Sequence, residues 1–94
     1  MKRNLYIDVY LCRYVFRAYY GGKPIFITTH AIKQARKREI AFPHQVYATL
    51  NRGKVKKFGK HSMKFTYKMK KGAIICVGED IGYAIIIKTV ERGN

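Results

Sequence analysis

Acidic residues are nearly missing from this sequence: Asp8, Glu39, Glu79, Asp80 and Glu91 stand against 20 Lys and Arg, giving a formal net charge of +15 at pH 7. That shortage excludes the Lys–Glu ion-pair networks that usually neutralise a merely solvated, lysine-rich surface. Self-repulsion on this scale opposes the compact state and is relieved by a partner of opposite sign, which in a cell means nucleic acid, an anionic membrane or an acidic protein. Cysteine is scarce as well. Cys12 and Cys76 are single, far apart and set in apolar, strand-like surroundings, so they read as buried thiols rather than as a disulfide or part of a zinc site. No residues stand at metal-ligand spacing, and neither a metal nor a cofactor is expected. Long apolar runs are also lacking. The one extended stretch, Leu5 to Tyr20, is interrupted by Asp8, Arg13 and Arg17, which argues against a signal peptide or transmembrane span and for a cytoplasmic chain.

What is present fits one domain over residues 1–94, long enough for a single core of two packed layers. Leu5 to Tyr20 is rich in Tyr, Val, Ile and Phe, and Gly21-Gly22 before Lys23-Pro24-Ile25-Phe26-Ile27 reads as a turn, which predicts an N-terminal hairpin over 5–27. Thr28 and Thr29 offer a helix N-cap, and the stretch from His30 to Ile40 lacks Gly and Pro, so a first helix is expected there. Pro43 suits the start of a second, short helix with Val46 and Leu50 on one face, and Asn51-Arg52-Gly53 supplies its stop. The two helices occupy 28–53. From Lys54 the apolar period becomes two, and strands are expected at Lys54–Phe58, Met63–Met69, Ala73–Val77 and Tyr83–Val90, within a sheet spanning 54–91. The predicted fold class is α+β: an N-terminal β-hairpin, then two helices packed on one face of a four-stranded antiparallel meander. Its last two strands are apolar runs that call for burial on both faces.

The positive charge is concentrated in this sheet. No acid occurs from Ile40 through Gly78, and Lys64, Thr66, Lys68 and Lys70 alternate with Phe65, Tyr67 and Met69, so one face of that strand is lysine-rich. Lys54 and Lys56 join that face across the hairpin. Such a surface is suited to lie along phosphates. Tyr6, Tyr10, Tyr14, Tyr19, Tyr20 and Tyr67 are candidate stacking platforms for unpaired bases, although a strand tyrosine more often packs half-buried with its hydroxyl wet.

His30, Gln34 and Arg38 recur every four residues and form one stripe on the first helix, with Ile32 and Ala35 nearer the core. The segment Thr29-His30-Ala31, with Arg38 and Ile40 downstream and a short helix and four strands after it, resembles the small domains placed near the RelE and BrnT ribonuclease toxins. The resemblance covers about Ile25 to Val90. Where that pattern carries an arginine between His-Ala and the second arginine, this chain has Gln34. Where a glycine commonly follows, it has Glu39. The resemblance implies a RelE-like sheet whose open face holds RNA, and a metal-independent endoribonuclease in which the substrate's 2′-hydroxyl attacks the neighbouring phosphate. In that reading Arg38 stabilises the phosphate, His30 or His61 exchanges the proton, and Lys64, Lys68 and Tyr67 hold the backbone. An acidic antitoxin would then be a partner. The same basic hairpin, including Lys54, Lys56 and Lys70, serves equally a non-catalytic DNA- or RNA-binding protein of a virus, plasmid or archaeal chromosome. A third reading is an interaction module whose basic face an acidic protein covers, and the edge of the N-terminal hairpin leaves a homodimer open.

Overall fold

The computed structural model describes residues 18–93 and the backbone of residues 9–10. In chain order the elements are β1 (Val9–Tyr10), β2 (Tyr19–Tyr20), β3 (Lys23–Thr28), α1 (Thr29–Lys37), α2 (His44–Arg52), β4 (Lys54–Phe58), β5 (Ser62–Met69), β6 (Gly72–Asp80) and β7 (Ile85–Gly93). Gly21 and Gly22 both take positive φ, 59° and 80°, as a tight turn whose twist matches its flanking strands requires, and β2 and β3 form a hairpin across it. Val9 and Tyr10 also pair antiparallel with β3. The rest of the hairpin expected over 5–27, with Tyr6, Cys12 and Tyr14, lies outside the described residues.

The sheet is not a four-stranded antiparallel meander. It is α+β still, but a mixed, curled half-barrel in the order β1-β3-β7-β6-β5-β4, with β2 lying on β3. The four C-terminal strands do form antiparallel pairs, and β3 adds to them in parallel through Ile25↔Ile85, Phe26↔Ile86 and Ile27↔Ile87. The reason lies in the apolar run of β7. Ile85, Ile86 and Ile87 are all buried, and a strand of that kind needs a neighbour on each edge. β6 satisfies one edge; β3, equally rich in isoleucine, satisfies the other instead of remaining in a separate hairpin.

One core fills the concave side. Ile25, Ile27, Met63, Phe65, Ile74, Cys76, Ile85, Ile87 and Val90 meet Ala31, Ile32 and Ala35 of α1 and Val46 and Leu50 of α2. Each fully buried isoleucine contributes about 1.5–3 kcal/mol. Thr28 caps α1, its Oγ1 accepting from the Ala31 N–H at 3.1 Å. The helix ends at Lys37, short of the expected Ile40. Glu39 adopts φ 57°, the Ile40 N–H donates to Ala35 O (2.8 Å) and the Glu39 N–H to Arg36 O (3.1 Å), and Ile40 is buried against the core. This is a Schellman stop with Glu at the position where glycine normally supplies the left-handed turn, so composition did not announce it. Arg92 Nε and Nη2 donate to the Arg38 and Glu39 carbonyls at 2.9 and 2.7 Å, which completes the cap. Two strand boundaries also differ from expectation. β6 runs through Gly78 to Asp80 by way of a bulge at Val77/Gly78, and β7 begins at Ile85 and continues to Gly93.

Candidate nucleic-acid interface

The pleat of β5 sorts its side chains by face: Met63 and Phe65 are buried, whereas Lys64, Thr66 and Lys68 alternate with them on the convex side, which neither helix covers. The pairing register sets Lys56 of β4 directly opposite Lys64, and Lys54 opposite Thr66. Strands lie about 4.8 Å apart and successive outward residues about 6.7 Å apart, so these cations form a tight patch. Like charges placed directly across an antiparallel pair destabilise it. Among the described residues the two ion pairs lie elsewhere, Lys23–Asp80 at 2.8 Å and Lys88–Glu79 at 2.7 Å, and no acid answers Lys54, Lys56, Lys64 or Lys68. On the same convex face the register carries Ile75 and Val77 of β6 next to β5, with Glu79, paired to Lys88, opposite Ser62 and Glu91 of β7 opposite Ile75. Lys70 stands exposed in the turn that follows β5.

Tyr67 does not belong to this surface. It shares the concave side with Phe65 and lies opposite Ile74, so one strand cannot present both Tyr67 and its neighbouring lysines to one ligand. Tyr20 is also held inside, edge-on to Phe65 with ring centroids 5.9 Å apart, and Lys57 Nζ lies 5.9 Å from its centroid. Tyr19 and Tyr83 are exposed, but neither lies on β4 or β5. The aromatic residue that does accompany the lysines is Phe58, 44% exposed and in phase with Lys54 and Lys56. Its signal was available in the alternation Lys54, Lys56, Phe58, once stacking was not reserved for tyrosine.

The stripe on α1 meets a different environment. β3 ends at Thr28, so among the described residues β7 has no strand neighbour on that edge beyond Ile87. Gln34 and Arg38 take the missing strand's place: Gln34 Oε1 accepts from the Val90 N–H at 3.1 Å, and Arg38 Nη1 donates to Val90 O at 3.1 Å. Both backbone groups of one strand residue are thereby satisfied by side chains one helical turn apart. His30, Lys33, Gln34, Lys37 and Arg38 line a shallow groove of about 350 Å³ beside this clamp. His61, in the turn between β4 and β5, lines other depressions with Lys57, Lys60 and Asp80 or with Lys23, Glu79 and Asp80. The hydrogen bonds from Lys23 and from the Gly82 N–H hold the Asp80 carboxyl below the usual carboxylate range. The structure therefore places His30 and Arg38 in one groove and His61 in others. Replacing Gln34 and Arg38 together by alanine, which leaves helix propensity undiminished, is expected to destabilise the fold by about 1–3 kcal/mol in urea denaturation. An unchanged midpoint would show that water substitutes for the clamp.

Among the described residues no group of three or more His, Cys, Asp or Glu is placed to hold a metal ion, and no helix is long and apolar enough to cross a membrane. Comparison with protein-family models, curated proteins and solved structures finds no match to this chain.

Proposed function

We propose that this protein binds nucleic acid on the convex face of β4 and β5, with phosphates on Lys54, Lys56, Lys64 and Lys68 and a base on Phe58, and that it does so without cutting it. The observation that carries this reading is the lysine patch that no acid among the described residues neutralises, in which Lys56 faces Lys64 directly. Lysines on an exposed edge strand also prevent aggregation through that edge, and this accounts for β4. It does not account for Lys64 and Lys68, because β5 is paired on both sides, by β4 and by β6. A polyanion removes the repulsion, and an exposed aromatic ring beside the charge adds a stacking surface that any base can use.

Binding is better supported than cleavage. A metal-free ribonuclease needs a proton acceptor, a proton donor and charge stabilisation around one phosphate. His30 and His61 line separate depressions, and Arg38, one of the residues that carry the resemblance to ribonuclease toxins, has a structural task at Val90.

The test is fluorescence anisotropy with labelled single-stranded RNA, single-stranded DNA and duplex over a salt series, with gels of the bound RNA in chelator. Binding is expected to weaken linearly in log salt while the RNA stays full length. Phe58→Ala should weaken single-strand binding by about 1–3 kcal/mol and leave the salt slope unchanged. Absence of binding at low salt sinks the proposal; RNA shortened in chelator reinstates the nuclease.

A further inference from the structure

The cations of α1 form a second positive surface that the lysine patch on β4 and β5 does not explain. Between Thr29 and Lys37 the helix contains no acid, and Lys33, Arg36 and Lys37 are exposed. The groove lined by His30, Lys33, Gln34, Lys37 and Arg38 is shallow and open to solvent, about 350 Å³, and a backbone phosphate can lie in it without being enclosed. One of its cations is held in place before any ligand arrives. Arg38 Nη1 is tied to Val90 O at 3.1 Å, and the remaining N–H groups of that planar guanidinium have no partner among the described residues. A fixed guanidinium beside two exposed ammonium groups suits a phosphodiester, which takes paired N–H donors from arginine and point charge from lysine.

This groove and the lysine patch lie on opposite sides of the sheet. α1 packs on the concave side through Ala31, Ile32 and Ala35, whereas Lys54, Lys56, Lys64 and Lys68 stand on the convex side. On the convex face the lysines of β5 give way to Ile75 and Val77 of β6 and then to Thr89 and Glu91 of β7, while Glu79 is paired with Lys88. A single strand crossing from the lysines of β5 therefore meets apolar side chains and then Glu91 before it reaches the helix.

We infer that the α1 groove is a separate binding site for a nucleic-acid phosphate backbone, so that one molecule holds two nucleic-acid segments at once and bridges them. The bridging rests on the binding proposed for β4 and β5. Lys33 and Lys37 supply charge at the groove, Arg38 supplies the fixed donors, and Gln34 holds the helix against Val90 so that the groove keeps its shape.

A two-strand capture assay tests this. The protein is loaded on a bead-bound single-stranded DNA, washed, and offered a second, fluorescent, non-complementary strand. The natural protein is expected to retain the second strand. Lys33→Ala with Lys37→Ala should hold the bead-bound strand within about twofold and lose at least about tenfold in second-strand capture, as expected for two lost phosphate contacts. Both positions are exposed helix sites where alanine is well tolerated, and Lys33→Gln with Lys37→Gln gives the same comparison if the first variant misfolds. Undiminished capture by folded helix variants overturns the inference, because two convex faces of an oligomer then suffice for bridging. Loading on the beads without recruitment of the second strand also overturns it and leaves the β4–β5 site standing. No loading at all removes both.

Discussion

Replacing Lys56, Lys64 and Lys68 together by alanine is expected to cut nucleic-acid affinity severalfold per lost contact near 0.1 M salt, and to flatten the plot of log K against log salt by about 0.7 per single-strand contact or 0.9 per duplex contact. The effect should be similar for unrelated sequences, because lysines on a sheet face meet phosphates and not base edges. The fold should tolerate the change well. Removing Lys56 and Lys64 abolishes a direct like-charge pair across β4 and β5, so the triple variant is expected to melt at or above the temperature of the natural protein. Lower affinity with higher stability is a combination that a purely structural role for these lysines does not produce. A folded triple variant with an unchanged salt slope would remove the β4–β5 face from the binding site.

Gly78→Ala is expected to be the most damaging small substitution in the sheet, lowering stability by about 3 kcal/mol or more. Gly78 sits at the bulge where the register between β6 and β7 shifts, from Val77↔Thr89 to Gly78↔Ile87. A Cβ there would run into the backbone carbonyl oxygen of Ile86 and lie 3.0 Å from its carbonyl carbon and from Ile87 Cα. These are backbone atoms of a buried strand and cannot swing aside as the end of a flexible side chain would. The bulge also bears on the surface charge, since it lies beside the stretch in which Lys88 Nζ reaches Glu79 Oε1 at 2.7 Å. Urea denaturation measures the loss, and a change below about 1 kcal/mol would mean that the strands can separate locally at this point. If the variant still folds, its affinity for nucleic acid should be close to normal, because β4 and β5 lie on the far side of β6.

Much of the local structure was legible because it depends on neighbours in sequence. Thr28 before a run without Gly or Pro, Pro43 before Val46 and Leu50, and the alternation from Lys54 onward each determine an element through capping, backbone restriction or the period of two. The cation-rich face of β5 was legible for the same reason, since side chains that alternate along a strand must separate by face. That rule also separates Tyr67 from Lys64 and Lys68, so grouping them asked of one strand what its geometry does not permit.

The remainder was decided by contacts between distant residues. Ile25–Ile27 beside Ile85–Ile87 turns an expected meander into a mixed half-barrel, and no local pattern in either segment distinguishes a parallel neighbour from a hairpin partner. Glu39 ends α1 without a glycine because Ile40 is drawn into the core and Arg92 caps the exposed carbonyls. Gln34 and Arg38 lie on one helical stripe by sequence alone, but their task follows from the place where β3 stops and leaves the Val90 N–H and C=O without a strand partner. Composition and period determined the charge, the elements and the lysine face, because these depend on residue type and on spacings of two to four. Which strands adjoin, which histidines share a groove and which polar side chains are engaged in the fold depended on how the buried isoleucines and unpaired backbone groups found partners, and that was settled only in three dimensions.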